Sequence, residues 1–532
     1  MKRSKAKGID RRSVLRMGAG LGLGSALGPW VAAEERKGAE LQGFSTKLRS
    51  EEEFKNPVLA APDWLRDAVA YEVVVRTFNH PDYQHPEKWE NPKGCAPYSS
   101  VTEKLGYLQD LGITLVVLYT VYDHTPGTNL YANRFERVMP ELGTMADVKE
   151  LIQEAHNRGI RVISNTNHYG VASSSPMLEE RPDWFEDRRK HICGQPLFDL
   201  RHPETAEYIV KSHIDWTLKT GLDGWRIDMS HITYLKAIWD RIMSACAEAG
   251  QRILLATEAH HLEGHIEGGG KPGSVAVPEG PERILDMEAF FQQDQTSAKD
   301  PYRFKEISSH NCKLKWPHNV DREKYPRQGC YQIQGSRFLF GHNYIFAPYV
   351  PWMFAGEEFA ASHLAVPSLL PGLRKYGHQT ENATPGKLLH AYLDWDDLER
   401  NKDVFQDMRR ILNIRHANRD VLHSKHHETK LVNVPCKGKL DVKAKPYARS
   451  ISGKKAIVIV GNESTTDDIA FTLNMPLARF GMGDAGELRV TDLWTGERQM
   501  LNKGQLSEYE VKVPKDKSPG GGVRAIKIER TG

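Results

Sequence analysis

Two short strings carry the residues best suited to chemistry. They are Asp223-Gly224-Trp225-Arg226-Ile227-Asp228 and Ala256-Thr257-Glu258. Each reads as a buried strand that ends on a carboxylate. Asp228 and Glu258 lie 30 positions apart, about one strand-helix-strand step. Carboxylates at neighbouring strand ends on one barrel face supply a nucleophile and an acid/base for displacement at an acetal carbon. Arg226 precedes Asp228 by two residues and so shares its strand face, where its charge would keep that carboxylate ionised. Blander roles compete. Asp228 and Arg226 could be an ion pair closing a strand, and Glu258 could cap the following loop.

The elements that would position these groups alternate. A β-rich run at 70–75 is followed by a helix at 101–112 and a strand at 113–118. A helix at 146–158 ends at Gly159, and a strand follows at 160–163. Residues 165–203 show no clear periodicity and read as a functional loop or small subdomain. The alternation resumes with a helix at 204–220, a strand at 222–227, a helix at 234–249 and a strand at 252–257. Strands at 284–288, 304–308 and 344–350 and a helix at 404–417 complete it. Repeated βα units argue for a parallel sheet, and eight of them make a barrel of about 250 to 400 residues. After residue 420 the pattern changes to short β runs separated by turns, which predicts an antiparallel β-domain.

In order and spacing these segments resemble the alpha-amylase family, glycoside hydrolase family 13, over most of residues 64–500. Leu105 to Ile113 resembles the family's approach to its second strand, and Pro140-Glu141-Leu142-Gly143-Thr144 its lead into the helix before strand three. Asn167-His168 resembles the Asn-His at the end of strand three. Asp223 to Asp228 resembles Asp-Gly-Phe-Arg-x-Asp, with Trp225 for Phe, and Ser309-His310-Asn311 resembles Asn-His-Asp. The run from Pro351 to Glu358 resembles the eighth-strand segment ending in Gly-Glu-Glu.

The resemblance implies a (β/α)8 TIM barrel with a small loop-rich subdomain after the third strand and a C-terminal antiparallel β-domain. It implies retaining hydrolysis or transglycosylation of α-glucosidic bonds, with Asp228 as nucleophile and Glu258 as acid/base. Asn167, His168, Arg226 and His310 would bind substrate. By position, Tyr71, Tyr131, Tyr169 and Trp225 are candidates to stack on a sugar face, with core packing the competing role for most of them. Two positions depart from the pattern. The third family acid is replaced by Asn311, which keeps the shape and loses the charge. An oxocarbenium-like transition state would miss that charge. Such a change also fits a non-catalytic or weakly active sugar-binding protein on the same fold. The third strand, Val162-Ile163-Ser164-Asn165-Thr166-Asn167-His168, lacks the Asp that the family places before Asn-His. A family-like calcium site near the small subdomain loses support with it, and the chemistry requires no other cofactor.

The 532-residue chain divides into 1–33, 34–63, 64–420 with an insertion at 165–203, and 421–532. Residues 1–33 carry Arg11-Arg12-Ser13-Val14-Leu15, a mild apolar run and Val31-Ala32-Ala33, which resembles a twin-arginine (Tat) export signal. Export to the periplasm or the cell exterior is the expectation. Residues 34–63 read as an arm or linker. Seven basic residues and one Asp give residues 1–33 a charge of +6, so the remainder of a +3 chain is −3. That balance gives no case for a nucleic-acid partner. No run of eighteen apolar residues suggests stable membrane insertion after signal removal. The expected partner is an α-glucan or α-glucoside; oligomeric state is left open. The six cysteines form no Cys-x-x-Cys pair, and Cys312 with Cys330 is one possible disulfide. The cluster His260-His261-x-x-x-His265 lacks a placed carboxylate and reads as a loop rather than a metal site.

Overall fold

The computed structural model describes residues 61–80, 96–124, 131–186, 191–192, 195–228, 236–258, 294–295, 304–306, 327–330, 336–365, 391–424, 428–437 and 446–531. Seven strands run parallel in one sheet. They are β1 (Ala70–Val74), β2 (Leu115–Tyr119), β3 (Arg161–Thr166), β4 (Gly224–Ile227), β5 (Leu254–Glu258), β6 (Phe304–Glu306) and β7 (Val350–Phe354). Their spatial order is β5-β4-β3-β2-β1-β7-β6, and the two-residue strand Asp294–Gln295 pairs antiparallel with β5. This is chain order read around a circle. β7 returns to lie beside β1, as it must when a βα series curls into a barrel. Every residue of β1, β2, β4 and β7 is buried, as expected of parallel strands covered on both faces.

Helices α1 (Leu105–Leu111), α2 (Met145–Asn157), α3 (Pro203–Thr220), α4 (Lys236–Glu248) and α5 (Lys402–Ala417) accompany the sheet. Local chemistry sets their ends. Thr144 and Asp147 form a reciprocal capping box at the start of α2. Pro203 opens α3, and Gly221 closes it in the left-handed conformation. The stretch expected as one helix at 101–112 is two, Tyr98–Thr102 and α1.

The strand expected at 344–350 is displaced. Residues Leu339–Ile345 form a π-helical turn, and the strand is Val350–Phe354. Pro351 has no N–H to give a ladder, which hides a central strand at this position. The strand expected at 284–288 lies outside the described residues, as do residues 1–60.

The C-terminal region is antiparallel throughout. Strands β8 (Lys430–Asn433), β9 (Tyr447–Ile451), β10 (Lys455–Gly461), β11 (Ile469–Leu473), β12 (Glu487–Asp492), β13 (Arg498–Asn502), β14 (Tyr509–Val513) and β15 (Val523–Glu529) build it. Six form a sheet in the order β8-β9-β10-β15-β12-β13, and β11 and β14 form a second sheet with Cys436–Lys437. Val458, Val460 and Ile526 from one sheet share a core with Phe471, Leu473 and Val513 from the other. A buried ionic joint ties this unit to the barrel. The Arg337 guanidinium donates to Asp407 at 2.6 Å and Asp403 at 2.7 Å, both on α5, and to the backbone oxygen of Asp516 at 3.2 Å. Asp516 in turn accepts from the Phe338 N–H at 2.7 Å.

One glycine controls how β4 meets β5. A Cβ on Gly224 would lie 2.0 Å from the Leu254 backbone oxygen, and Gly224 is the register partner of Leu254. Gly224→Ala therefore forces the two strands apart. It should lower stability by at least about 1–3 kcal/mol, read as a fall in thermal midpoint.

Candidate active site

The site is built where β3, β4 and β5 end. Asn165 is level with Arg226, and Ile227 is level with Thr257. Position 228 therefore follows beside position 258. Neighbouring strands lie about 4.8 Å apart, so the register sets the backbones of Asp228 and Glu258 at adjacent strand ends. The Asp228 N–H donates to the Thr166 carbonyl at 3.1 Å, which extends the ladder to the carboxylate-bearing residue.

Both oxygens of Asp228 are engaged. Arg226 Nη1 donates to Oδ1 at 2.5 Å, and Asn167 Nδ2 donates to Oδ2 at 2.9 Å. Arg226 is fully buried, whereas Asp228 retains 8% exposure. The carboxylate is thus gripped from behind and keeps an edge toward solvent, as an incoming electrophile requires. The same Nη1 donates to Asn165 Oδ1 at 3.0 Å, and Asn165 Nδ2 donates to Asn167 Oδ1 at 3.0 Å. Asn167 also donates to the Tyr169 hydroxyl at 3.1 Å, and its N–H donates to the Tyr122 hydroxyl at 3.0 Å. The amides at the end of β3 are therefore engaged with one another, with Arg226 and with Asp228. Among the described residues no group of three or more His, Cys, Asp or Glu could hold a metal.

The sequence expectations fare unevenly. Asp228, Arg226 and Asn167 come together. Asn167 binds the carboxylate itself and is only 1% exposed, which differs from the expected sugar contact. His168 is wholly buried, with its ring edge-on to Trp239 at 5.2 Å. Beside it His213 is held by the Ile209 carbonyl at 2.8 Å and by Thr166 Oγ1 at 2.9 Å. Burial pushes its pKa down to about 4. The ring is neutral at pH 7, so Nδ1–H donates to the carbonyl and Nε2 accepts from the hydroxyl. His310, Asn311, Cys312 and the His260–His265 cluster lie outside the described residues.

Tyr71 has a different post from the one expected. It is fully buried, and its hydroxyl donates to Glu358 Oε1 at 2.9 Å, so it offers no open face for stacking. Tyr107 donates to the same oxygen at 2.5 Å, and the Gly356 N–H donates to Oε2 at 3.1 Å. Desolvation outweighs these donors and pushes Glu358 from 4.5 up to about 7. Sequence reasoning missed Glu358 and Tyr107 as partners. The available signal was a Gly-Glu-Glu run directly after an apolar strand.

Residues 88–191 match the family model described as alpha amylase, catalytic domain. A maltogenic alpha-amylase from Bacillus acidopullulyticus is 22% identical over 494 residues, covering 85% of this chain and 77% of that protein. A cyclomaltodextrinase from a Bacillus species is 26% identical over 220 residues, 34% of this chain and only 38% of that relative's length. Among solved structures, the alpha-amylase of Geobacillus thermoleovorans complexed with acarbose aligns with a TM-score of 0.59 at 16% identity. That alignment covers 88% of this chain and 99% of the other, and speaks for the fold. The class is a (β/α)8 barrel with a C-terminal antiparallel β-domain. Within that class, the chain is similar to alpha-amylase family proteins, most directly over residues 88–191.

The Glu358 pocket gives a pH prediction. The unfolded chain loses this proton near 4.5, whereas the folded chain keeps it until about 7. Across that window the native state binds the extra proton, so its contribution to stability falls as pH rises from about 4.5 to 7 and is then constant. The span is up to about 3 kcal/mol. Glu358→Gln should flatten the fall, measured as thermal midpoint against pH in both proteins.

Proposed function

We propose that this protein is a carbohydrate-active enzyme that cleaves or transfers α-glucosidic bonds with retention. The observation that carries the reading is the Asp228 carboxylate, held by buried Arg226 and Asn167 at the end of β4 with Glu258 ending the adjacent strand. Asp228 attacks the anomeric carbon while Glu258 gives its proton to the leaving oxygen. Glu258 then takes a proton from water or a sugar hydroxyl, which releases the sugar from Asp228. The relatives named maltogenic alpha-amylase and cyclomaltodextrinase support α-glucans as the substrate class. The Arg11-Arg12 segment and Val31-Ala32-Ala33 support export to the periplasm or beyond as a folded protein.

Asn311 favours a second reading, a sugar-binding protein without turnover. The two readings separate on a panel of α-glucans and α-glucosides with product analysis. The enzyme reading expects products from the wild type and a loss of about 10³-fold or more in Asp228→Asn. Binding of maltooligosaccharides by calorimetry with no product from any substrate would instead support the second.

A further inference from the structure

Asn165 sits behind the site and touches neither solvent nor the carboxylate. Yet its amide decides which way two other groups face. A guanidinium has only donors, so the Asn165 atom 3.0 Å from Arg226 Nη1 is the oxygen. Its other branch is then the NH2 group, which faces the Asn167 oxygen at 3.0 Å. That fixes Asn167 with its own NH2 group toward Asp228 Oδ2 at 2.9 Å. From the far end, Asp228 accepts only, so it too demands an NH2 group from Asn167. The two ends agree when position 165 both accepts and donates.

We propose that Asn165 is a positioning residue for the nucleophile: its amide orients Asn167 as a donor to Asp228 and meets Arg226 without adding a second negative charge beside that carboxylate. This rests on the enzyme reading above. A carboxylate at 165 would oppose the Asn167 oxygen, or would flip Asn167 so that its oxygen faces Asp228. It would also share Arg226 with Asp228. Among the described side chains, the charged and titratable groups that touch Asn165 and Asn167 are Arg226 on β4, Asp228 itself, and the hydroxyls of Tyr122 after β2 and Tyr169 after β3. Burial and the nearby Asp228 both hold the Tyr122 phenol above its ordinary value, so Arg226 supplies the positive charge of this described set.

The test uses the full chain and a substrate that the panel identifies. Steady-state kinetics are measured across pH for wild type, Asn165→Asp, Asn165→Ser and Asp228→Asn, with circular dichroism and melting to verify folding. Asn165→Asp should lower kcat by about 10²-fold while KM changes by about twofold or less. It should also move the acidic limb of kcat/KM upward by about one pH unit, because two carboxylates then compete for one cation. Asn165→Ser breaks the relay without adding charge. It should lower kcat by about 10-fold and leave the limb in place.

A folded Asn165→Asp with unchanged kcat and an unmoved limb overturns the proposal. If that variant does not fold, an Asn165→Ser with wild-type kcat overturns it. Failure of this inference is separable from failure of the enzyme reading. An inactive Asp228→Asn beside a silent Asn165→Asp removes only the relay, whereas an active Asp228→Asn, or a wild type without turnover, removes both.

Discussion

A guanidinium with none of its surface in water must be matched, and the Arg226–Asp228 pair is where this barrel meets that demand. Removing one member of such a pair costs about 3–5 kcal/mol, because the other is left charged and dry. The pair therefore binds the architecture to the site. β3 must end level with β4 so that Asn165 reaches Arg226, and β4 must stop so that Asp228 clears the sheet by the small margin its 8% exposure records. The strands do this through register, and Gly224 lets β5 approach closely enough for the register to hold.

Two sets of polar groups in the barrel each surround a carboxyl. One, made of Arg226, Asn165 and Asn167, grips Asp228 directly or through one intermediate amide. The other, made of Tyr71, Tyr107 and the Gly356 N–H, surrounds Glu358, where desolvation dominates and the proton is retained to about 7. Asp228 meets a guanidinium, whereas the described partners of Glu358 are hydroxyl and amide donors. Hydroxyl and amide donors lower the cost of a buried charge, but here they do not cancel it.

Much of this was legible in the sequence. The strands at 70–75, 113–118, 160–163, 222–227 and 252–257 declared themselves because parallel strands buried on both faces are apolar runs between amphipathic helices. The segment order then pointed to Asp228, Arg226 and Asn167 together. Side-chain partnership was harder to read. Tyr71 looked available for stacking because sequence gives type and rough depth, whereas its bond to Glu358 spans 287 positions. Asn165 had no assigned role in the sequence, and its contacts show an amide used at both ends. The strand at β7 was misplaced because a π-helical turn and a proline both break the alternation that strand reading depends on.

The joint around Arg337 has a consequence for how the molecule comes into being. Its guanidinium lies in the barrel half of the chain, and two of its counter-charges are on α5. A third partner, the Asp516 backbone, lies 179 positions further along the chain. The two carboxylate pairs need only the barrel half, whereas the Asp516 contact needs the β-domain to have docked. The joint therefore records docking of the two units through one side chain, with its charge already matched on the barrel side.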